Sequence, residues 1–188
     1  MQHKNLSDGI KDIDTTKRIV HGYASVFDNI DLGGDLITKE AFNVTTKFHG
    51  PKGTGEIVPL AYHDTKMILG VTQDITPDDY GLRTTTEFIG NVQYAKEIFN
   101  LIEFKALRGM SIGYDVIQAT KGTGELKDAR ILYELKLWEY SFVTHGMNPL
   151  AQVFGKTVFA PDLVTFSPQL LVEELNAVQK ALKDATWN

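Results

Sequence analysis

Ser111 stands between two glycines in the stretch RGMSIGYDV (108–116), where Gly109-Met110-Ser111-Ile112-Gly113 satisfies G-x-S-x-G, a pattern associated with the nucleophilic serine of hydrolases. A serine hydroxyl attacks a carbonyl readily only when a base takes its proton and a third group orients that base. Five histidines are available. His3 lies in a polar N-terminal stretch, and His21 sits between Val20 and Gly22 inside a run of β-branched and aromatic residues. His49 adjoins a glycine-rich loop, where mobility works against fixed geometry, and His145 follows the last long apolar run. His63 differs, because it ends the apolar run VPLAYH (58–63) and is followed by Asp64 and a turn. A strand end is a rigid platform, and an imidazole with an ordinary pKa of about 6.5 suits a general base there.

Alternation suggests the orienting acid. In RILYELKLWEYSFVT (130–144), Leu135, Leu137, Glu139, Ser141 and Val143 share one face of a strand, and Trp138, Tyr140 and Phe142 share the other. Both faces are apolar enough to be buried, and a carboxylate in such company needs a partner. That partner is either a lysine or arginine, or an imidazole N–H as in a hydrolase triad. Ordinary structural roles stand beside these readings: Ser111 as a small residue at a tight helix-to-strand junction, and His63 as a polar residue at a strand end.

The elements that must hold these side chains follow from periodicity. RIVHGYASVF (18–27) reads as a strand, DNIDLGGD (28–35) as a turn, and TKEAF (38–42) as one helical turn capped by Thr38. After the loop HGPKGTGE (49–56), the runs 57–63, 68–75 and 82–89 read as an antiparallel meander. A helix follows, with Asn91 as N-cap, Val92, Ala95, Phe99, Ile102 and Ala106 on one face, Ile98 and Leu101 widening it, and Leu107-Arg108-Gly109 as its stop. Strands over 110–118 and 130–144 form a hairpin across KGTGELKD. Helix before Ser111 and strand after it is the reverse of a nucleophile elbow, which needs strand then helix. Chain order also departs from that family, since the only histidine after Ser111 is His145.

Composition narrows the classes. A chain of 188 residues with 43% hydrophobic residues can form one domain, which we place at 18–153, preceded by a loose arm (1–17) and followed by an extension (154–188). The extension carries an amphipathic helix over about 167–185, started by Ser167-Pro168, with Leu171, Leu175, Val178 and Leu182 as a docking or oligomerisation stripe. The absence of cysteine removes disulfides, thiol nucleophiles and cysteine-ligated zinc. A net charge of −5 without a basic stripe argues against a nucleic-acid partner. No apolar run approaches the roughly 20 residues of a membrane span, and no signal-peptide segment is apparent, so an intracellular protein is expected.

Five blocks in order, HGYASVFDNIDLGGDLITKEAF, PLAYHD, LGVTQDITPDDYGLRTTTEFI, ALRGMSIGYDV and LWEYSFVTHGMNPLAQV, resemble the prohead proteases of tailed bacteriophages, relatives of the herpesvirus assemblin proteases. The resemblance spans about 18–153. It implies an α+β fold, mainly an antiparallel β-barrel flanked by helices, and a serine endopeptidase acting inside the immature capsid in the host cytoplasm. Its substrates would be scaffold and major capsid proteins, and often the enzyme itself, with homo-oligomerisation as in assemblins. By position, the resemblance makes His63 the base, Ser111 the nucleophile and Glu139 the third member. Relatives commonly carry a Pro-Ala-Asn-like turn where this chain has Thr144-His145-Gly146-Met147-Asn148-Pro149, which leaves His145 as the alternative third member. Backbone N–H groups of Ile112 and Gly113 are candidates for the oxyanion site. This reading requires no cofactor and no metal. Two other readings compete: a non-enzymatic assembly module on the same fold, and a metal-dependent hydrolase built on His63-Asp64 and His49.

Overall fold

The computed structural model describes residues 18–158, so the arm expected over 1–17 and the helix expected over 167–185 lie outside the described residues. In chain order the elements are β1 (Arg18–Val26), β2 (Asp35–Ile37), a 3-10 turn (Lys39–Phe42), α1 (Asn43–His49), β3 (Val58–Ala61), β4 (Asp64–Ile68), β5 (Gly70–Pro77), β6 (Gly81–Phe88), α2 (Gln93–Glu103), β7 (Gly109–Lys121), β8 (Arg130–Val143) and β9 (Val153–Val158). β9 pairs antiparallel with β1, so residues 154–158, placed by the sequence in the C-terminal extension, form part of the first sheet.

These strands form two sheets. The first is antiparallel in the order β5-β6-β1-β9. The second is organised by β8, whose long apolar run allows burial on both faces. β7 lies antiparallel along one flank, from Gly109 opposite Val143 to Lys121 opposite Arg130. The other flank is shared by two short parallel strands, β2 against Arg130–Leu132 and β3 against Glu139–Phe142, with β4 outside β3. The fold is therefore α+β, as expected, but the expected closed antiparallel barrel is not formed. Closure would require edge strands of the two sheets to pair. What joins them instead is an isolated bridge between Gly109 and Gln152, supported by the Met110 N–H on the Ala151 carbonyl at 2.9 Å. The expected meander is likewise divided: β3 and β4 belong to the second sheet, β5 and β6 to the first, with Leu69 at the crossing.

The core fills the space between the sheets. Tyr140, Phe142, Leu60, Leu82 and Met110 are fully buried, and the Phe88 ring packs edge-on against both Phe99 and Phe142 at 5.5 and 5.2 Å. The Tyr140 hydroxyl is kept satisfied by Thr86 Oγ1 (2.7 Å) and Thr72 Oγ1 (3.1 Å), while burial pushes its pKa up to about 12. α2 buries Ala95, Ile98, Phe99 and Ile102, a narrower stripe than the sequence suggests. It also stops earlier. Lys105 takes the left-handed conformation (φ 59°), its N–H reaches Ile102 O at 2.9 Å, and the Ala106 N–H reaches Leu101 O at 2.8 Å, the paired bonds of a Schellman end. Gly109 is thus not the helix stop; it opens β7, where a Cβ would lie 2.6 Å from the Val143 carbonyl oxygen. Nor is α2 capped by Asn91: the N-cap is Val92, without a side-chain bond. Among the described residues no helix is long and apolar enough to cross a membrane.

Candidate active site

The expected strand end at His63 is in fact a turn. β3 stops at Ala61, Ala61 pairs with Asp64 of β4, and Tyr62-His63 forms the two-residue connection. Both residues have positive φ, 54° and 60°, the sign a type I′ hairpin turn requires at its two central positions. Such turns usually carry Asn, Asp or Gly, so this one is silent in sequence. Left-handed backbone at side-chain-bearing residues costs on the order of 1–3 kcal/mol each. Both turn amides are tied to β8: the Tyr62 N–H donates to the Phe142 carbonyl at 3.2 Å, and the His63 N–H donates to Ser141 Oγ at 3.0 Å.

Glu139 is buried, as alternation indicates, and its partner is the imidazole rather than a lysine or arginine. His63 Nδ1 lies 2.6 Å from Glu139 Oε1, and the Ser141 hydroxyl donates to Oε2 at 2.7 Å. A carboxylate only accepts, so the hydrogen sits on Nδ1 and Nε2 is the nitrogen left for further chemistry. The His63 side chain is 43% exposed and that of Glu139 only 11%, so the pair runs from the interior outward. Gly113 is the residue directly across from Glu139 on β7. A Cβ there would collide with Oε1 and come within 3.0 Å of the carboxyl carbon. The second glycine of the serine motif is therefore needed because the Glu139 carboxylate crosses over it.

Ser111 lies directly across from Ser141, on the strand face shared with Gly113, Glu139 and Ser141. It lines a cleft of about 340 Å³ together with His63 and Ile112. The three expected residues thus come from neighbouring elements, His63 from the turn after β3, Glu139 from β8 and Ser111 from β7. His145 is exposed in the loop after β8 and does not line this cleft. His49 is elsewhere, at the end of α1, with Nδ1 2.6 Å from Glu56 Oε2. Among the described residues no group of three or more His, Asp or Glu converges in a way that could hold a metal ion.

Another group of residues lining the cleft went unseen in sequence. Asp35 of β2 receives Arg130 Nε on Oδ1 (2.7 Å) and Arg130 Nη2 on Oδ2 (2.6 Å), and the Tyr114 hydroxyl also donates to Oδ2 (2.9 Å). Arg130 holds the Asp35 carboxyl below the ordinary carboxylate range, against the opposing effect of burial. Burial, and then the hydrogen bond to Asp35, raises the Tyr114 hydroxyl far above a free phenol. Asp31 closes the turn before β2, its Oδ1 accepting the N–H groups of Gly33 (2.8 Å) and Asp35 (2.9 Å). A three-residue strand that starts at the last residue of a stretch that reads as a turn gives no periodic signal. Only the concentration of aspartates in DNIDLGGD hints at it.

A family model described as caudovirus prohead serine protease matches residues 6–159. No curated protein matches the chain significantly. Among solved structures the chain is similar to the KSHV protease, crystallised in complex with a hexapeptide phosphonate inhibitor. The TM-score is 0.50, with 13% sequence identity, over 90% of this chain and 80% of that one. At that identity the likeness concerns the fold alone, whereas the family match takes in most of the sequence. The chain accordingly belongs to the caudovirus prohead serine protease family and is a serine peptidase of capsid maturation.

Proposed function

We propose that Ser111 is the nucleophile, His63 the general base and Glu139 the orienting acid of this peptidase. The observation that carries the reading is the sharing of one cleft by Ser111 and His63 while His63 Nδ1 is bound to a buried carboxylate. With Nδ1 donating to Glu139, Nε2 takes the Ser111 proton as Oγ attacks the peptide carbonyl. The tetrahedral adduct collapses to an acyl-enzyme as the protonated imidazole gives its proton to the leaving amine; water, deprotonated by His63, then releases the acyl group. Of the two expected oxyanion donors, Ile112 is favoured. N–H direction alternates along an antiparallel strand. Since the Met110 N–H leaves β8 for Ala151, that of Ile112 also turns to the open flank of β7, and that of Gly113 turns toward β8.

The substrates are scaffold and major capsid proteins inside the prohead, and the enzyme's own chain. The apolar stripe of Leu171, Leu175, Val178 and Leu182 supports self-association through the chain that follows β9. The test is incubation of purified protein with its major capsid and scaffold proteins, followed by N-terminal sequencing of the products. Ser111→Ala is expected to lower specific cleavage by about 10⁴-fold or more with the fold unchanged. Persistence of the same cleavage in that variant would sink the assignment.

A further inference from the structure

We propose that Ser141 is a positioning residue of the peptidase site, its hydroxyl locking the His63 turn to the Glu139 carboxylate; this rests on the roles of His63 and Glu139 given above. Ser141 is completely buried, 0% exposed. It lies at the crossing of the three strands that supply the site, opposite Ser111 on β7 and beside Leu60 on β3. Its hydroxyl makes two hydrogen bonds of opposite sense, accepting the His63 N–H at 3.0 Å and donating to Glu139 Oε2 at 2.7 Å. A hydroxyl has one hydrogen, so the donation to Glu139 fixes its rotor and aims a lone pair at His63. A satisfied core serine needs only one partner, usually a nearby carbonyl. Ser141 instead spends both capacities on the two residues that must hold each other's geometry.

Each bond removes a different freedom. Tyr62 and His63 both hold left-handed backbone, and of their two amides one is secured by a β8 carbonyl and the other by Ser141 alone. Without the hydroxyl the turn loses the anchor nearest the imidazole and leaves a polar N–H poorly paired. The Glu139 carboxylate has two oxygens, one on His63 and one on Ser141. With Oε2 released, the carboxylate is free to rotate in the space over Gly113, and the imidazole loses the fixed partner on its Nδ1. Misplacement of a reacting group by about 1 Å can cost about 100-fold in rate.

The experiment compares Ser141→Ala and Ser141→Cys with wild type on a peptide taken from a mapped cleavage site, with active sites counted by a phosphonate that labels Ser111. Counting sites separates unfolded molecules from slow ones. Expected is a fall in kcat per titrated site of roughly 10- to 100-fold for Ser141→Ala, with KM within about twofold, and a smaller fall for Ser141→Cys, which keeps a weak donor. In a Ser111→Ala background, the low-field proton resonance of His63 Nδ1–H should broaden or shift upfield on adding Ser141→Ala. Wild-type kcat per titrated site together with an unmoved resonance would overturn the proposal and leave Ser141 a packing residue. His63→Ala and Glu139→Gln run alongside keep the failures apart. If those two abolish cleavage and Ser141→Ala does not, only the role of Ser141 falls; if they too cleave normally, the catalytic assignment itself falls.

Discussion

Two buried carboxylates, Asp35 in the lining of the cleft and Glu139 behind His63, are neutralised in opposite ways. Asp35, its side chain 9% exposed, meets a permanent cation: Arg130 grips both oxygens and Tyr114 adds a third donor. Among the described residues Glu139 meets no arginine or lysine. Its donors are a neutral hydroxyl and an imidazole that can gain or lose a proton, held on a left-handed two-residue turn. A carboxylate facing a fixed guanidinium is settled at every ordinary pH and contributes to structure. One facing an imidazole waits for a charge that appears only when His63 takes a proton. The proposed catalytic pair is thus the one whose charge is left incomplete.

The largest expected break in this contrast is Glu139→Gln. An amide fits the same space and can still accept from Ser141, but its NH₂ group can drive His63 into the wrong tautomer. A loss of about 10⁴-fold in kcat is expected, with near-unchanged thermal stability. A loss below about tenfold per titrated site would make Glu139 a structural acid like Asp35. Next in size is Gly113→Ala, which keeps Ser111, His63 and Glu139 but puts a methyl where Oε1 lies. Since β7 is pinned to β8 from Gly109 to Lys121, the carboxylate rather than the strand must yield. We expect kcat to fall by about 100-fold, and urea melts should show a loss of about 1–3 kcal/mol. Wild-type kcat in Gly113→Ala would show that Glu139 can leave its place without consequence.

Asp35→Asn attacks the other carboxylate, and its effect should appear first in stability. Asparagine accepts from Arg130 on one oxygen only, so a loss of about 1–3 kcal/mol at pH 7 is expected from urea melts. The pH dependence has a definite sign. Arg130 lowers the folded pKa of Asp35, so the stabilisation is present above the unfolded value of about 3.9 and is lost as pH falls through the lower folded value. The gap between wild type and variant should therefore close below about pH 4. A gap that is constant with pH would mean the ion pair contributes nothing beyond shape, and a catalytic loss rivalling that of Glu139→Gln would place Asp35 in the machinery of cleavage.

The same contrast explains what the sequence disclosed. β8 advertised Glu139 because a 14-residue strand repeats its alternation often enough for one acid among leucines to stand out. The spelling around Ser111 drew attention for a misleading reason, the elbow pattern, yet the glycine at its end has a local cause in the Glu139 carboxylate. The Tyr62-His63 turn was illegible, because its left-handed backbone is imposed by β8 rather than by turn-forming residue types. The open sheets were equally hidden: β2 is three residues long, its partner lies far along the chain, and parallel pairing leaves no mark that alternation can report. Asp35 fell with it, since the residues that give it meaning, Tyr114 and Arg130, come from β7 and β8.

Asp31 tests the contrast at its smallest scale. It precedes Asp35 on the same turn and is shifted the other way: burial raises its pKa, more than the N–H groups of Asp35 and Gly33 lower it, and the Asp35 charge adds to the rise. A raised carboxyl costs stability above its unfolded pKa, and the cost disappears as pH falls below that value. What the turn uses is one oxygen acceptor, Oδ1, which an amide also provides. Asp31→Asn should therefore be neutral or stabilising at pH 7 by a few tenths of a kcal/mol, about 0.5 at most, with the gain fading toward pH 4. Differential urea melts at pH 7 and pH 4 measure it. A destabilisation at pH 7 comparable to that of Asp35→Asn would mean that the Asp31 charge, and not its hydrogen-bond geometry, holds the turn before β2.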